Sequence, residues 1–383
     1  MPTMSTTRKL LAIAGSASLI LGMAACSSER ETPAATTPAP GASSGAPAGD
    51  GALIGVAMPT RSLERWNNDG AHVESLLKEA GYEVSLQYAD NKVEQQIQQL
   101  ETMINQGAKV LVVASIDGTA LSNVLETAAA AGIKVIAYDR LINGTDAVDY
   151  YATFDNYQVG QLQGKFIEEQ LELATTTEKF NLEPFAGSPD DNNAKFFFSG
   201  AWDVLLPYVQ DGKLVVPSGK DPKSNDEWTK IGIQGWESAK AQAEMDNRIN
   251  SFYGDKKVDV VLSPNDSLAL GIEQSLESNG YKPGGDWPII TGQDADKANV
   301  INMLADKQSM TVWKDTRTLG TQVAKMVDQI LKGETVEVND TTTYDNGKKV
   351  VPSFLLPPQV VTKDTVQKDL VDSGFYKASD IGL

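Results

Sequence analysis

The chain has 383 residues, which at about 150 residues per domain is enough for two domains that each bury a core. Its 33 basic and 51 acidic residues give a formal charge of −18, and a chain that repels polyanions is a poor binder of nucleic acid and of anionic lipid. A single Cys and a single His exclude an internal disulfide and a Cys/His zinc site.

The first 25 residues have the pattern of a secretory signal peptide. Arg8 and Lys9 precede a 14-residue apolar run at 10–23, which is too short to span a bilayer as a helix. Two alanines then precede Cys26, and this junction resembles the bacterial lipobox, in which the cysteine is acylated and becomes the first mature residue. The alternative is that Cys26 is a buried core residue, but the residues around it show no helix or strand pattern. We predict a lipoprotein signal peptide over 1–25.

Residues 26–50 combine the lipidated Cys26 with a flexible tether. The tether has four prolines and no aliphatic residue larger than Ala, a composition that cannot build a core. Signal, acylated cysteine and tether together predict that the folded part lies outside the cytoplasmic membrane and is held to it only by the lipid.

From residue 51 the sequence alternates between strand and helix patterns. Val93, Ile97, Leu100 and Ile104 recur at helical spacing, whereas residues 109–114 form a near-continuous apolar run typical of a strand buried on both faces. Glycines at 81, 107 and 132 each lie between the end of a predicted helix and the start of the next predicted strand. The predicted strands are 52–58, 83–89, 109–114 and 133–138; the predicted helices are about 63–81, 93–107 and 119–131.

The same alternation restarts after about residue 156. The predicted helices are 157–173, 192–209, 237–252 and about 266–280; the predicted strands lie near 180 and at 213–216, 258–262, 288–291 and 310–313. Two doubly wound α/β domains with parallel sheets are therefore expected. Sheets of this kind bind ligands beyond the carboxyl ends of their strands, so the residues that follow each strand are the candidates for a site.

The residues at these strand ends have polar or aromatic side chains. They include no nucleophile–base pair and no glycine-rich phosphate loop. They are Arg65, Trp66, Asp139, Arg140, the run 187–193, Trp236, Asn265, Asp266, Gln293, Asp294, Trp313 and Lys314. Carboxylates accept, guanidiniums and ammonium groups donate, and amides do both, while indole faces cover apolar C–H groups. This combination suits a neutral polyhydroxylated ligand.

Each of these residues also has a purely structural interpretation. Asp139 and Arg140 could form a surface ion pair, Trp236 could belong to the core, and Asp294 could be the N-cap of a following helix. His72 is interpreted as a packed or solvated residue of the first helix. Two short acidic runs resemble half of a calcium loop each but lack its glycine and terminal Glu, so no metal and no cofactor are assigned.

Several segments of the chain resemble one family of extracytoplasmic proteins. MPTRSLERW, ASIDGTALS, IAYDRLI, YYATFDN, GSPDDNNAK, ITGQDAD, TVWKDT and VVPSFLL occur in that order from about residue 51 to the C-terminus. They are similar to the monosaccharide-binding proteins of ABC transporters in the ribose/xylose/galactose class, and most of all to its multiple-sugar-binding and xylose-binding types. The stretch 220–230 departs from the xylose type.

The resemblance implies the type I periplasmic-binding-protein fold, in which two α/β lobes are joined by three crossing segments. It implies a first lobe formed by 51–154 and 315–350, and a second lobe formed by 155–314 and 351–383. The chain would thus return to the first lobe after Lys314 and cross again near Val351. Members of this family close around the ligand by hinge bending.

The resemblance also implies a sugar site. Its residues, transferred by motif, are Arg65, Trp66, Asp139, Arg140, Asp191, Asn193, Trp236, Asn265, Asp294 and Lys314. Trp66 and Trp236 would flank the sugar ring, and Arg140 and Asp294 would lie on opposite walls of the cleft.

The expected function is that of a monomeric, non-catalytic lipoprotein that captures an aldose and delivers it to an ABC permease. Two alternatives stay open at this point. An extracytoplasmic carbohydrate enzyme could use two cleft carboxylates, such as Asp139 and Asp294, as acid and base. A sugar-sensing receptor without a role in transport would share the binding step and differ only in its surface.

Overall fold

Strands and helices alternate along the chain in the computed structural model, which describes residues 51–383. The predicted signal peptide, Cys26 and tether lie outside the described residues. The strands are β1 (Leu53–Met58), β2 (Glu83–Tyr88), β3 (Val110–Val113), β4 (Lys134–Tyr138), β5 (Tyr150–Phe154), β6 (Phe180–Pro184), β7 (Leu214–Val215), β8 (Val260–Leu262), β9 (Ile289–Ile290), β10 (Thr311–Trp313), β11 (Ser353–Leu356) and β12 (Gln359–Val361). The helices are α1 (Glu64–Glu79), α2 (Val93–Asn105), α3 (Ser122–Ala130), α4 (Asn156–Gln170), α5 (Asn192–Gln210), α6 (Ser238–Phe252), α7 (Asp266–Ser278), α8 (Lys297–Leu304) and α9 (Thr316–Lys332).

The first lobe is built on a parallel six-stranded sheet in the order β11-β5-β4-β3-β1-β2. All four residues of β3 are buried because helices cover both faces of the sheet, as its apolar run predicts. The glycines at 81, 107 and 132 have φ values of +91°, +84° and +75°, so each helix ends in a left-handed residue before the next strand begins.

The second lobe contains a parallel four-stranded sheet in the order β7-β6-β8-β9. An antiparallel pair, β10 with β12, continues this lobe, and a parallel bridge between Gln293 and Val312 connects β10 to the segment that follows β9. Helices α4 and α5 approach closely because Gly160 lies against the Phe197 carbonyl, where a Cβ would come within 1.9 Å of that oxygen.

The chain crosses between the lobes after β5, after β10 and after β11. After Lys314, α9 begins at Thr316 and packs on α1 of the first lobe. The third crossing differs from the expectation. Because β11 pairs with β5, residues 353–356 belong to the first-lobe sheet, and the crossing lies between Leu356 and Gln359 instead of near Val351.

Separate apolar clusters fill the two lobes. In the first lobe, one cluster lies on each face of the sheet, around Val112 and around Leu111. In the second lobe the main cluster includes Trp202 and Val260, and a smaller one joins α8 to the C-terminal segment. No helix among residues 51–383 has the length and apolar character needed to cross a membrane.

Candidate functional site

A small cavity lies between the carboxyl ends of the strands of the two lobes. This is the position expected for a ligand of two doubly wound sheets. The first lobe contributes Leu63, Arg65, Trp66 and Arg140 to its lining; the second contributes Asp191, Phe197, Trp236, Asn265, Gln293, Asp294 and Lys314.

Arg65 is the charged centre of the first-lobe wall. It lies in the first turn of α1, and its Nη2 is 2.7 Å from Asp69 Oδ2 and 3.0 Å from Asp139 Oδ1. Burial acts to lower the pKa of Arg65, but Asp139 and Asp69 outweigh it and raise that pKa well above the ordinary value. Burial likewise acts to raise the pKa of Asp139, but Arg65 and Lys314 hold it below its usual range. Both groups are therefore charged at neutral pH.

Ion pairs join the two lobes across the cavity. Arg140 Nε of the first lobe is 2.9 Å from Asp191 Oδ2 of the second, and Arg65 Nη1 is 3.6 Å from Asp294 Oδ1. Lys314 Nζ lies 3.0 Å from the same Asp294 oxygen. Cations and carboxylates of the two walls are thus paired in a buried space, where desolvation makes each unpaired charge costly.

Asp191 connects three parts of the second-lobe wall. It is the N-cap of α5, with Oδ1 accepting from the Asn193 N–H at 2.9 Å, and Trp236 Nε1 donates to its Oδ2 at 3.2 Å. Burial raises the pKa of Asp191, although Arg140 opposes this. One carboxylate therefore fixes a helix start, an indole and a guanidinium of the opposite lobe.

Aromatic rings line both walls. Trp66 is 1% exposed, and the guanidinium carbons of Arg65 and Arg140 lie 4.2 and 5.1 Å from its ring centroid. On the second-lobe side, Phe197 and Trp236 meet edge to face with centroids 6.3 Å apart. One aromatic ring of the first lobe and two of the second thus line the cavity.

The backbone is strained at several site residues. Asp139, Trp236, Asp294 and Ala295 have φ values of +61°, +56°, +99° and +53°, a region that costs a non-glycine residue about 1–3 kcal/mol. Such residues persist only where surrounding contacts hold them, and they cluster at ligand sites. The sequence carries no sign of this strain because none of the four is glycine.

Two of the predicted ligands, Asp139 and Asn193, do not line the cavity. Asn193 lies behind it. Its Nδ2 donates to the Asp139 carbonyl at 2.7 Å, and its Oδ1 accepts from the Tyr151 hydroxyl at 3.0 Å. The Asp139 carbonyl also accepts from Tyr151 and Thr153, at 2.8 and 2.9 Å. In this structure Asn193 therefore joins the second lobe to the strained Asp139 of the first, and its role as a sugar ligand stays a prediction.

The remaining predicted residues reach the cavity from loops of the second lobe. Asn265 is the N-cap of α7, with Oδ1 accepting from the Leu268 N–H at 3.0 Å. Asp294 is not a helix N-cap, since α8 begins after Asp296. Trp236 belongs to the core and to the cavity lining at once. His72 lies on α1, where its Nε2 is 3.1 Å from the Arg317 carbonyl oxygen.

Three lining residues were absent from the predicted site: Leu63, Phe197 and Gln293. Gln293 was noted at its strand end, and it donates through Nε2 to the Pro264 carbonyl at 2.8 Å. Within residues 51–383, Gln293 Oε1 and Arg65 Nε are buried without a hydrogen-bond partner. The same part of the chain contains no group of three His, Cys, Asp or Glu residues placed to hold a metal.

Residues 54–335 match the family model described as periplasmic binding protein domain. The chain belongs to this family. The predicted resemblance and the predicted type I fold are thereby confirmed. A periplasmic binding protein is a non-enzymatic receptor, which also confirms the prediction that the chain is not an enzyme.

Individual relatives cover most of this periplasmic binding protein. The multiple sugar-binding periplasmic receptor ChvE of Rhizobium radiobacter is 50% identical over 335 residues, 87% of this chain and 93% of the relative. The D-xylose-binding periplasmic protein of Escherichia coli is 37% identical over 328 residues, 86% of this chain and 92% of the relative. An ABC transporter solute binding protein of Clostridium phytofermentans, solved with bound β-D-glucose, superposes with a TM-score of 0.82 at 54% identity and covers 86% of this chain and 99% of its own.

Proposed function

We propose that the chain captures a monosaccharide of the aldose class in the cavity between its lobes and delivers it to an ABC permease. The observation that carries the proposal is the lining itself, which surrounds a small cavity with paired cations and carboxylates and with aromatic rings from both lobes. Each sugar hydroxyl can donate a hydrogen bond to a carboxylate and accept one from a guanidinium at the same time.

The pairing of charges favours a neutral ligand over an ion. Each cation of the cavity already has a carboxylate partner at 2.7–3.6 Å: Arg65 with Asp69, Asp139 and Asp294, Arg140 with Asp191, and Lys314 with Asp294. A neutral polyhydroxylated ligand can exchange hydrogen bonds with such pairs without adding a net charge to a buried space. The buried Arg65 Nε and Gln293 Oε1 offer a donor and an acceptor that a hydroxyl would satisfy.

The relatives support the same ligand class. ChvE is described as a multiple sugar-binding receptor, the Escherichia coli relative as D-xylose-binding, and the Clostridium phytofermentans protein holds β-D-glucose. The two walls belong to different lobes, so a ligand between them binds the closed arrangement better than the open one. Ligand binding therefore shifts the population toward closure.

A thermal-shift panel of pentoses and hexoses tests the proposed ligand. A ligand at 100 times its dissociation constant stabilises the native state by about 2.7 kcal/mol, so the cognate aldose should raise the melting temperature saturably. Calorimetric titration of each hit then gives its affinity. A panel in which no monosaccharide shifts the melting curve, even at millimolar concentration, would refute the proposal.

Gly187 offers a specific test of the Trp236 wall. A Cβ at Gly187 would lie 2.0 Å from Cη2 and 2.4 Å from Cζ2 of the indole, so Gly187→Ala must displace Trp236. Loss of the indole contact and of its hydrogen bond to Asp191 should weaken sugar binding about tenfold or more in calorimetry. Gly254→Ala is the matched control, because a Cβ there meets nothing within 4 Å. Unchanged affinity in Gly187→Ala would remove Trp236 from the site.

We also propose that the protein is anchored to the cell membrane by acylated Cys26. The proposal rests on the charged start, the apolar run and the Ala-Ala-Cys junction. Mass spectrometry of membrane-extracted protein should show acyl mass on Cys26, and Cys26→Ser should release the protein into the soluble fraction. Cleavage at another site, or a Cys26→Ser variant that stays with the membrane, would contradict the anchor.

A further inference from the structure

The carboxylate of Asp294 is carried by a strained loop, residues 293–296, between β9 and α8. Asp294 and Ala295 have φ values of +99° and +53°, which L residues rarely adopt in succession. The 293–296 loop lines the cavity through Gln293 and Asp294. Something outside the cavity must therefore hold this backbone in place.

Three backbone N–H groups of the 293–296 loop are fixed from inside the second lobe. Asp294 N–H donates to the Val312 carbonyl at 3.0 Å, and Ala295 N–H donates to Thr311 Oγ1 at 3.1 Å. Asp296 N–H donates at 2.9 Å to Oδ2 of Asp266, which is fully buried. These anchors hold the inner side of the loop.

The outer side of the loop is held by the C-terminal segment, residues 362–383. The Tyr376 hydroxyl donates to the Ala295 carbonyl at 2.9 Å. The Tyr376 ring meets Phe375 edge to face at 4.8 Å, and Phe375 in turn meets Trp313 at 5.4 Å. Ala295 itself is fully buried in the apolar cluster that includes Val366 and Leu370 of the C-terminal segment. A segment that follows every strand thus completes the support of a cavity residue.

We infer that Tyr376 is a positioning residue for Asp294, through its hydrogen bond to the strained Ala295. This inference rests on the proposed function, since Asp294 is taken to bind the sugar. Tyr376 does not line the cavity, so its effect on affinity passes through the backbone of the 293–296 loop. Without the hydroxyl, the loop relaxes toward less strained conformations and the carboxylate leaves its position.

The test compares Tyr376→Phe with Tyr208→Phe in the full chain. Tyr208 also lies in the second lobe and donates its hydroxyl to Glu168, away from the cavity. Tyr376→Phe should lower the affinity for the monosaccharide selected by the panel about three- to tenfold, the loss expected for one net hydrogen bond. Tyr208→Phe should leave affinity unchanged. Equal affinities in the two variants and the wild type would overturn the inference.

A second variant separates positioning from general stability. Ala295→Gly, added to Tyr376→Phe, gives the strained position a residue that adopts positive φ freely, so affinity should recover at least in part. A Tyr376 that only stabilised the lobe would show no such recovery, because glycine adds no contact. Failure to recover, together with a lowered melting temperature in Tyr376→Phe, would assign Tyr376 a purely structural role.

Hydrogen exchange gives a readout that needs no sugar. In the ligand-free protein, the amides of Asp294, Ala295 and Asp296 should exchange faster in Tyr376→Phe than in the wild type or in Tyr208→Phe. If no monosaccharide binds the wild type, the proposed function fails while the exchange result still decides whether Tyr376 holds the loop. Unchanged exchange in Tyr376→Phe would refute the inference whatever the ligand.

Discussion

Replacing either Asp294 or Arg140 by Ala should remove most of the affinity for the monosaccharide while the protein stays folded. The two side chains belong to opposite lobes and line the same cavity. Losing a buried charge-assisted hydrogen bond costs about 1.5–3 kcal/mol, which is roughly ten- to a hundredfold in affinity. The loss in Asp294→Ala should be at the upper end, because Lys314 lies 3.0 Å from Asp294 Oδ1 and would be left unpaired.

Calorimetric titration of both variants measures this effect. Asp226→Ala is the matched control, since Asp226 lies in the second lobe and its side chain is 88% exposed. We expect the control to bind like the wild type and both cavity variants to bind far more weakly. Wild-type affinity in Arg140→Ala would mean that Arg140 does not bind the ligand, and the same result in Asp294→Ala would mean that Asp294 does not.

Arg65→Met should produce the largest change in stability. Arg65 lies within 2.7–3.6 Å of Asp69, Asp139 and Asp294, and its removal leaves buried carboxylates without their cation. Breaking a buried ion pair in this way costs about 3–5 kcal/mol, whereas losing an exposed pair costs about 0–1 kcal/mol. The free energy of unfolding from urea titration should fall accordingly.

Two further variants make the Arg65 result interpretable. Arg317→Met removes a half-buried arginine paired with Asp315 at 2.8 Å and should change the free energy of unfolding by less than about 1 kcal/mol. Asp69→Asn, added to Arg65→Met, removes one stranded charge without touching the cavity lining and should restore part of the stability. Equal stability of Arg65→Met and the wild type would show that the carboxylates do not depend on Arg65.

Several residues that line the cavity could be selected by one rule about parallel sheets. Their ligands bind beyond the carboxyl ends of strands, so Arg140 after β4 and Asp294 after β9 could be selected from the order of elements alone. Phe197 could not be selected in this way. It lies inside α5, in a run of three phenylalanines, and only the packing of that helix decides which ring faces the cavity.

The parts of the fold that depend on distant pairing were harder to predict. β5 and β11 are short strands. They belong to the same sheet because they pair with each other, although about two hundred residues of chain separate them. The third crossing was accordingly expected near Val351, whereas β11 carries the first lobe on to Leu356. The left-handed backbone at Asp139 and Asp294 was equally unpredictable, because side-chain chemistry alone does not indicate it.

A crystal structure of the protein with its tightest-binding monosaccharide tests the central claim most directly. We expect one sugar ring between Trp66 and Trp236, hydrogen-bonded to Arg140 of the first lobe and to Asp294 and Lys314 of the second. A sugar bound to one lobe alone, or outside the cavity that these residues line, would contradict it.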